Sequence, residues 1–193
     1  MAGRPRIFDE TTAIKKAVEV FWKKGYEVTS TVDLIQAMGI QRGSFYNTFG
    51  SKKELFIKAI DIHEQSSFIE FRKILKESED PIEILKMIFV SMADCSEDEY
   101  LKGCFAGNTL AALTGIDEEL ALIASVHLKE MESIFYDVID NAKAIGRLKT
   151  KVETDLLAKY LLNLWNGLNL TRRIYHDKKT LIPLIKLQLE ILA

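Results

Sequence analysis

The sequence is poor in residues that interrupt helices, staple extracellular folds or cross membranes. Only three prolines occur, at positions 5, 81 and 183, so long stretches of good helix formers run unbroken between them. The two cysteines, Cys95 and Cys104, are too few for a disulfide framework and lack the paired spacing of a zinc site. No run of about 18 apolar residues exists to span a bilayer, and the opening Met-Ala-Gly-Arg-Pro-Arg has no secretory apolar stretch. The expectation is an all-α, soluble, cytoplasmic protein with free thiols and no membrane partner. His63, His127 and His176 are dispersed, none sharing a helix face with another His or Cys, so no metal site is expected. A Gly-rich phosphate loop, a nucleophile elbow and a Cys-x-x-Cys are all missing, and neither a cofactor nor catalysis is expected.

What is present is ordinary globular material. Of 193 residues, 48% are hydrophobic and 28% charged, enough for a real core and for a small domain leaning on a larger one. The net charge of −2 hides an uneven distribution: residues 1–60 hold ten Lys or Arg against six Asp or Glu, so the head carries +4 and the remainder −6. A basic head on an acidic body suits a protein that offers one end to phosphate.

Apolar periodicity and capping signals place the helices. Asp9 caps a first helix to about Lys24, with Ile14, Ala17, Val18, Phe21 and Trp22 on one face and Gly25 as the stop. Ser30 and Asp33 have capping-box spacing for a second, short helix that Gly39 ends. A third covers Arg42 to Phe49, with Phe45 and Phe49 inward. Ser51 and Glu54 open a long helix to about Leu75, and Asp80-Pro81 restarts the chain. Beyond an acidic loop at 97–99 come helices near 104–113 and 118–145, closed by Gly146, then two richly apolar ones at 153–175 and 179–192.

The segment Ser30 to Phe49 has helix-turn-helix spacing, in which the second helix enters a DNA major groove. Spacing alone is weak. With Phe45 and Phe49 removed, however, the outward face of the third helix is Gln41, Arg42, Gly43, Ser44, Tyr46, Asn47 and Thr48. These are donors, acceptors and an aromatic edge with no acidic member, whereas a merely solvated face usually carries Glu or Asp.

Residues 4–60 resemble the DNA-binding domain of the TetR family of bacterial regulators. The resemblance runs through Gly25-Tyr26, Thr29-Ser30, Leu34 to Ile40, Gly43-Ser44-Phe45-Tyr46 and the block from Phe49 to Phe56. It implies a helix-turn-helix domain at 1–50 and a larger helical ligand-binding and dimerisation domain at 51–193, about nine helices in all. It implies a homodimer, a double-stranded DNA operator with two half-sites, and a small apolar or amphipathic effector that releases DNA. Carried over by position, it implies base contacts from Arg42, Gly43, Ser44, Tyr46 and Asn47, and phosphate contacts from Thr29, Thr31, Tyr46 and Lys52. Two positions depart from the pattern: Gln41 replaces a small capping residue, and Val32 stands where some members carry a base-contacting side chain. Lys102-Gly103-Cys104-Phe105 with Asn108 resembles a segment seen in one subgroup.

Four further expectations concern the arm and the body. Arg4 and Arg6 suit a minor groove or backbone phosphate. An effector pocket would use some of Phe68, Phe89, Met92, Phe105, Asn108, Tyr136 and Trp165, since aromatics and Met leave reshapeable cavities and Asn108 supplies a polar handle. A dimer would form through Leu161, Leu164, Trp165 and Leu168 with Ile185 and Leu189, pairing as a four-helix bundle. Cys104 follows Gly103 at a helix start, where the helix field lowers a thiol pKa, against the commoner reading of a buried structural thiol. The alternatives are a helical interaction or small-molecule carrier protein that never meets DNA, and, more weakly, a helical enzyme.

Overall fold

A computed structural model of the chain describes residues 8–94, 96 and 101–192. Every regular element among the described residues is helical. The Arg4 and Arg6 arm and the acidic loop at 97–99 lie outside the described residues.

The head is three helices closed by the signals its sequence carries. α1 spans Glu10–Lys24, where the Asp9 carboxylate accepts from Thr12 N at 2.7 Å and Gly25 stops the helix at φ 79°. α2 spans Thr31–Met38: Ser30 Oγ accepts from Asp33 N, the Asp33 carboxylate accepts from Ser30 N, and Gly39 takes the left-handed conformation. α3 spans Arg42–Phe49 and starts at Gln41 without any side-chain cap. It ends at Gly50, whose φ of 73° is a conformation that favours glycine.

The body follows. α4 spans Lys52–Lys76 behind the Ser51 cap, and α5 spans Pro81–Ser91 behind Asp80. A short 3₁₀ turn at Met92–Asp94 leads on; α6 spans Phe105–Leu113, α7 Glu118–Ala144, α8 Thr154–Thr171 and α9 Lys178–Leu189. α7 lies between α6 and α8 and packs along both. α8 stops four residues short of the expected end at 175. Its last turn tightens to i→i+3 bonds, Arg173 N to Leu170 O and Ile174 N to Thr171 O, while the Arg173 side chain is taken by the Lys102 carbonyl.

Apolar packing forms two clusters that share α4. Leu55, Phe56, Ala59 and Ile60 close the head's core, whereas Phe68 and Leu75 belong to the body's. The head's cluster also takes Phe105 and Leu113 from α6 and Leu120, Ala121 and Ala124 from α7. A polar tie crosses the same boundary: Lys53 Nζ lies 2.8 Å from Asp117, the cap of α7, and 2.9 Å from Glu119. Being partly exposed, this tie holds position more than it adds stability. The head is therefore bolted to α6 and the start of α7 as well as to its own linker helix.

The expected dimer residues need correcting. Leu161, Leu164, Leu168, Ile185 and Leu189 are all buried in the subunit's own core, and Trp165 packs against it. A different stripe of α8 faces outward: Leu156, Asn163, Gly167 and Leu170 are exposed, and Ile174 beyond the helix end extends the row. A Cβ built on Gly167 would meet nothing within 4 Å. Glycine in mid-helix costs up to about 1 kcal/mol, and nothing within the subunit requires it there.

Candidate DNA interface and internal cavity

The turn of the helix-turn-helix is fixed first. Gly39 N–H returns to the Ile35 and Gln36 carbonyls, Ile40 plugs the core, and Phe45 and Phe49 anchor α3 from below. That leaves Arg42, Gly43, Tyr46 and Asn47 exposed on the outer face, with Ser44 and Thr48 half-buried. The Arg42 guanidinium carbon lies 5.8 Å from the Tyr46 ring centroid, so the two form one projecting unit. Among the described residues no acidic side chain interrupts this face, and Val28 and Val32, before and at the start of α2, are exposed.

The residues expected at phosphate are placed less uniformly. Thr31 is half-exposed at the start of α2. Thr29 is buried, and its hydroxyl donates to the Gly25 carbonyl at 2.6 Å, so that proton is committed to the fold. Lys52 points inward: its Nζ donates to Tyr26 O at 3.0 Å and Thr29 O at 3.1 Å and sits 4.2 Å from the Tyr26 ring centroid. In this arrangement both residues brace the loop that presents α2.

Of the seven residues expected in a pocket, Phe68, Phe105 and Trp165 converge on one cavity of about 330 Å³, which Trp22, His63 and Glu64 also line. The others do not. Phe89 is fully buried and meets Trp165 edge to face, and Met92 is core. Tyr136 is 41% exposed on the outside of α7, one position away from the inward Phe135. Asn108 is structural: its carboxamide donates to the Lys102 carbonyl and accepts from Arg173 Nη2 at 3.0 Å. It lines a separate cleft of about 420 Å³ with Arg173. A larger groove of about 630 Å³ between α5 and α9 receives no residue from the head.

The cavity's position matters more than its size. Trp22 belongs to α1; its indole N–H donates to Gly103 O at 3.1 Å, and its ring packs on His63 at 4.4 Å between centroids. Phe105 lies 5.6 Å from Phe56, which lies 4.9 Å from Phe21 in the head's core. Rings are thus in contact from the cavity wall to the floor of the helix-turn-helix. Gly103, at φ 64°, lets the chain pass Arg173, whose Nη2 would be 2.5 Å from a Cβ there.

Three titratable groups at the cavity have shifted affinities for protons. Burial lowers the His63 pKa, with smaller opposing and reinforcing effects from Glu19 and Lys102. Burial raises Glu64 to about 6, opposed by nearby His127 and by the Ala106 N–H that donates to Oε1 at 3.2 Å. Burial and the Glu64 charge push the Cys104 thiol up to about 11, outweighing the N–H of Gly107 that its sulfur accepts. The reactive reading of Cys104 is thereby corrected: desolvation overrides the helix field, and the thiol serves as the N-cap of α6. Glu64 was not singled out from the sequence, although a signal existed. It stands four residues from Ile60 and four from Phe68, a carboxylate in the middle of a buried apolar stripe.

The fold and the acid-free outer face of α3 define a helix-turn-helix DNA-binding protein whose body carries a cavity partly walled by the head. Residues 13–59 match the family model of bacterial regulatory proteins of the tetR family, and residues 81–185 match that of the tetracyclin repressor-like C-terminal domain. An uncharacterized HTH-type transcriptional regulator of Bacillus subtilis (strain 168), YezE, is 30% identical over 193 residues, covering 98% of this chain and 99% of its own. The HTH-type transcriptional repressor ComR of Escherichia coli (strain K12) is 26% identical over 180 residues, covering 89% and 82%. The TetR family regulator CifR, solved as a cysteine mutant with a 26-bp double-strand operator DNA, superposes with a TM-score of 0.84 at 28% identity, covering 99% and 100%. The chain belongs to the TetR family of bacterial transcriptional regulators. It is a DNA-binding regulator and not an enzyme.

Proposed function

We propose that the protein is a homodimeric, cytoplasmic repressor of transcription that leaves its operator when a small apolar or amphipathic molecule enters the cavity behind Trp22 and Phe105. Residues 1–50 read DNA and residues 51–193 sense and dimerise, although apolar packing runs across that division. Arg42, Gly43, Ser44, Tyr46 and Asn47 meet base edges in the major groove. Thr31 and Tyr46 meet phosphate, while Thr29 and Lys52 hold the loop that delivers them.

The single observation that carries this reading is that the cavity and the head share side chains. A molecule pressing on Trp22 acts on α1 directly, and one pressing on Phe105 acts through Phe56 on the core beneath α3. Two recognition helices of a dimer must sit about 34–36 Å apart to enter successive major grooves. A ligand that favours another separation therefore shifts the population away from DNA. Coupling of this kind is reciprocal, so a molecule that binds the DNA-incompetent arrangement better stabilises the fold and weakens operator binding, and operator weakens that molecule's binding by the same factor. Gel-shift titration on a fragment selected from source genomic DNA, run with each stabilising molecule of a small-molecule screen, tests it. Stabilisers that leave operator affinity unchanged would overturn the release mechanism.

A further inference from the structure

We propose that the cavity of Trp22, His63, Glu64, Phe68, Phe105 and Trp165 is built for an amphipathic organic cation, whose charged centre lies between the Glu64 carboxylate and the ring faces. The proposal rests on reading this cavity as the effector site and names the chemical class of the effector.

Glu64 is only 6% exposed, yet no Lys or Arg lines the cavity among the described residues. A buried carboxylate normally requires a partner of opposite charge or several hydrogen-bond donors. Glu64 has one backbone donor, Ala106 N, on Oε1. From α7 it faces His127, which is itself bonded to Asp61 through Nε2 at 2.8 Å, and Glu130, whose charge opposes it; from the start of α6 it faces the Cys104 thiol. Capping α6 needs no more than a neutral acceptor, so the charge is surplus to that structural task.

The walls of the cavity suit a cation as well. Aromatic rings line the same cavity as the carboxylate, and ring faces attract a cation by their quadrupole. Among the described residues His63 is the one basic side chain on the wall, and burial lowers its pKa, which disfavours a competing positive charge there. An anion would meet Glu64 without a counter-charge. A neutral apolar molecule would leave the carboxylate desolvated and unpaired. A cation with an apolar body satisfies both the rings and the acid, and it alone also neutralises the charge.

Trp22 and Trp165, the two tryptophans of the whole chain, both line this cavity, so intrinsic fluorescence reports on it without a label. The test titrates the full-length protein with benzyltrimethylammonium and with its uncharged isostere neopentylbenzene. The expected result is saturable binding of the cation at least ten-fold tighter than that of the isostere. In Glu64→Gln, which keeps an acceptor for Ala106 N–H, that preference is lost while the isostere's affinity is retained. Cation affinity should also fall by about ten-fold at pH 5, one unit below the Glu64 value, as the carboxyl takes up its proton. Equal or tighter binding of neopentylbenzene, unchanged cation affinity in Glu64→Gln, or no saturable response to the cation would each overturn the proposal. The isostere pair decides the matter in the unmodified chain even if the variant does not fold. Gel-shift separates this outcome from that of the effector reading: if neopentylbenzene binds and releases DNA but the cation does not, the cavity remains the effector site and only its cation preference is lost.

Discussion

Tyr46 and Glu64 are opposite kinds of functional residue. Tyr46 is 43% exposed, and its ring meets Phe45 and the Arg42 guanidinium at the surface. Tyr46→Ala should therefore leave the melting temperature nearly unchanged while weakening operator binding by about 1–3 kcal/mol, the usual value of a base-directed contact. Gel-shift and differential scanning calorimetry on the same preparation check both halves. Glu64 carries a cost instead. Its pKa is raised from the ordinary 4.5 to about 6, so the folded state retains a proton that the unfolded chain has released. The stability this confers is present in full below pH 4.5 and is lost as pH rises through about 6. At pH 7.5 the ionised carboxylate costs the fold on the order of 2 kcal/mol. Glu64→Gln should then raise the melting temperature at pH 7.5 and lose most of that advantage by pH 4.5. A lowered melting temperature at pH 7.5 would mean that the charge has a structural partner.

Among the helices, α8 is the one whose exposed apolar stripe we propose as the subunit contact. Its inner face, with Leu161, Leu164 and Leu168, is the subunit's own core, and its outer stripe ends at Leu170, 62% exposed. Leu170→Glu should give folded monomers, because the new charge stays in water until a partner covers it. Leu164→Glu should give no folded protein, because the charge would be buried. Analytical ultracentrifugation with far-UV circular dichroism distinguishes the two; a stable Leu170→Glu dimer would move the interface elsewhere.

The same helix shows where sequence reading stops. Caps at Asp9, Ser30, Ser51 and Asp80 and stops at Gly25, Gly39 and Gly146 were legible because each is a local hydrogen-bonding or φ requirement that the residue type answers directly. The outer face of α3 was legible because Phe45 and Phe49 fix its rotation. On α8 apolar residues cover most of the circumference, so periodicity cannot tell the stripe against α7 from the stripe left for a partner. The Lys52 side chain and the Asn108 carboxamide chose partners distant in sequence, Tyr26 O and Arg173, and no local pattern encodes those choices. Tyr136 sits beside the inward Phe135, where a one-residue step rotates a side chain by about 100°.

For the whole molecule, the division between a basic head and an acidic body is one of charge and role and not of packing. Phe105 lines the cavity and packs in the head's core, and Lys53 ties the start of α4 to the start of α7. A body joined to its head in this way transmits a change of shape as a rigid displacement instead of absorbing it in a loose linker. Lys53→Met should therefore leave operator affinity of the unliganded protein within a few-fold while reducing the loss of affinity that a releasing molecule causes, measured as the ratio of operator dissociation constants with and without that molecule. An unchanged ratio would remove the Lys53–Asp117 tie from the pathway.

The central claim, that α3 of each subunit reads one half of a two-part operator, is tested most directly by footprinting. Genomic fragments retained by the purified protein would be selected and probed with hydroxyl radicals in the presence of unmodified and Tyr46→Ala protein. The account predicts protection of an inverted repeat whose half-site centres are separated by about one helical turn or a small multiple of it, abolished by Tyr46→Ala at equal concentration. A protected site with no two-fold repeat, or one that Tyr46→Ala protects equally well, would contradict it.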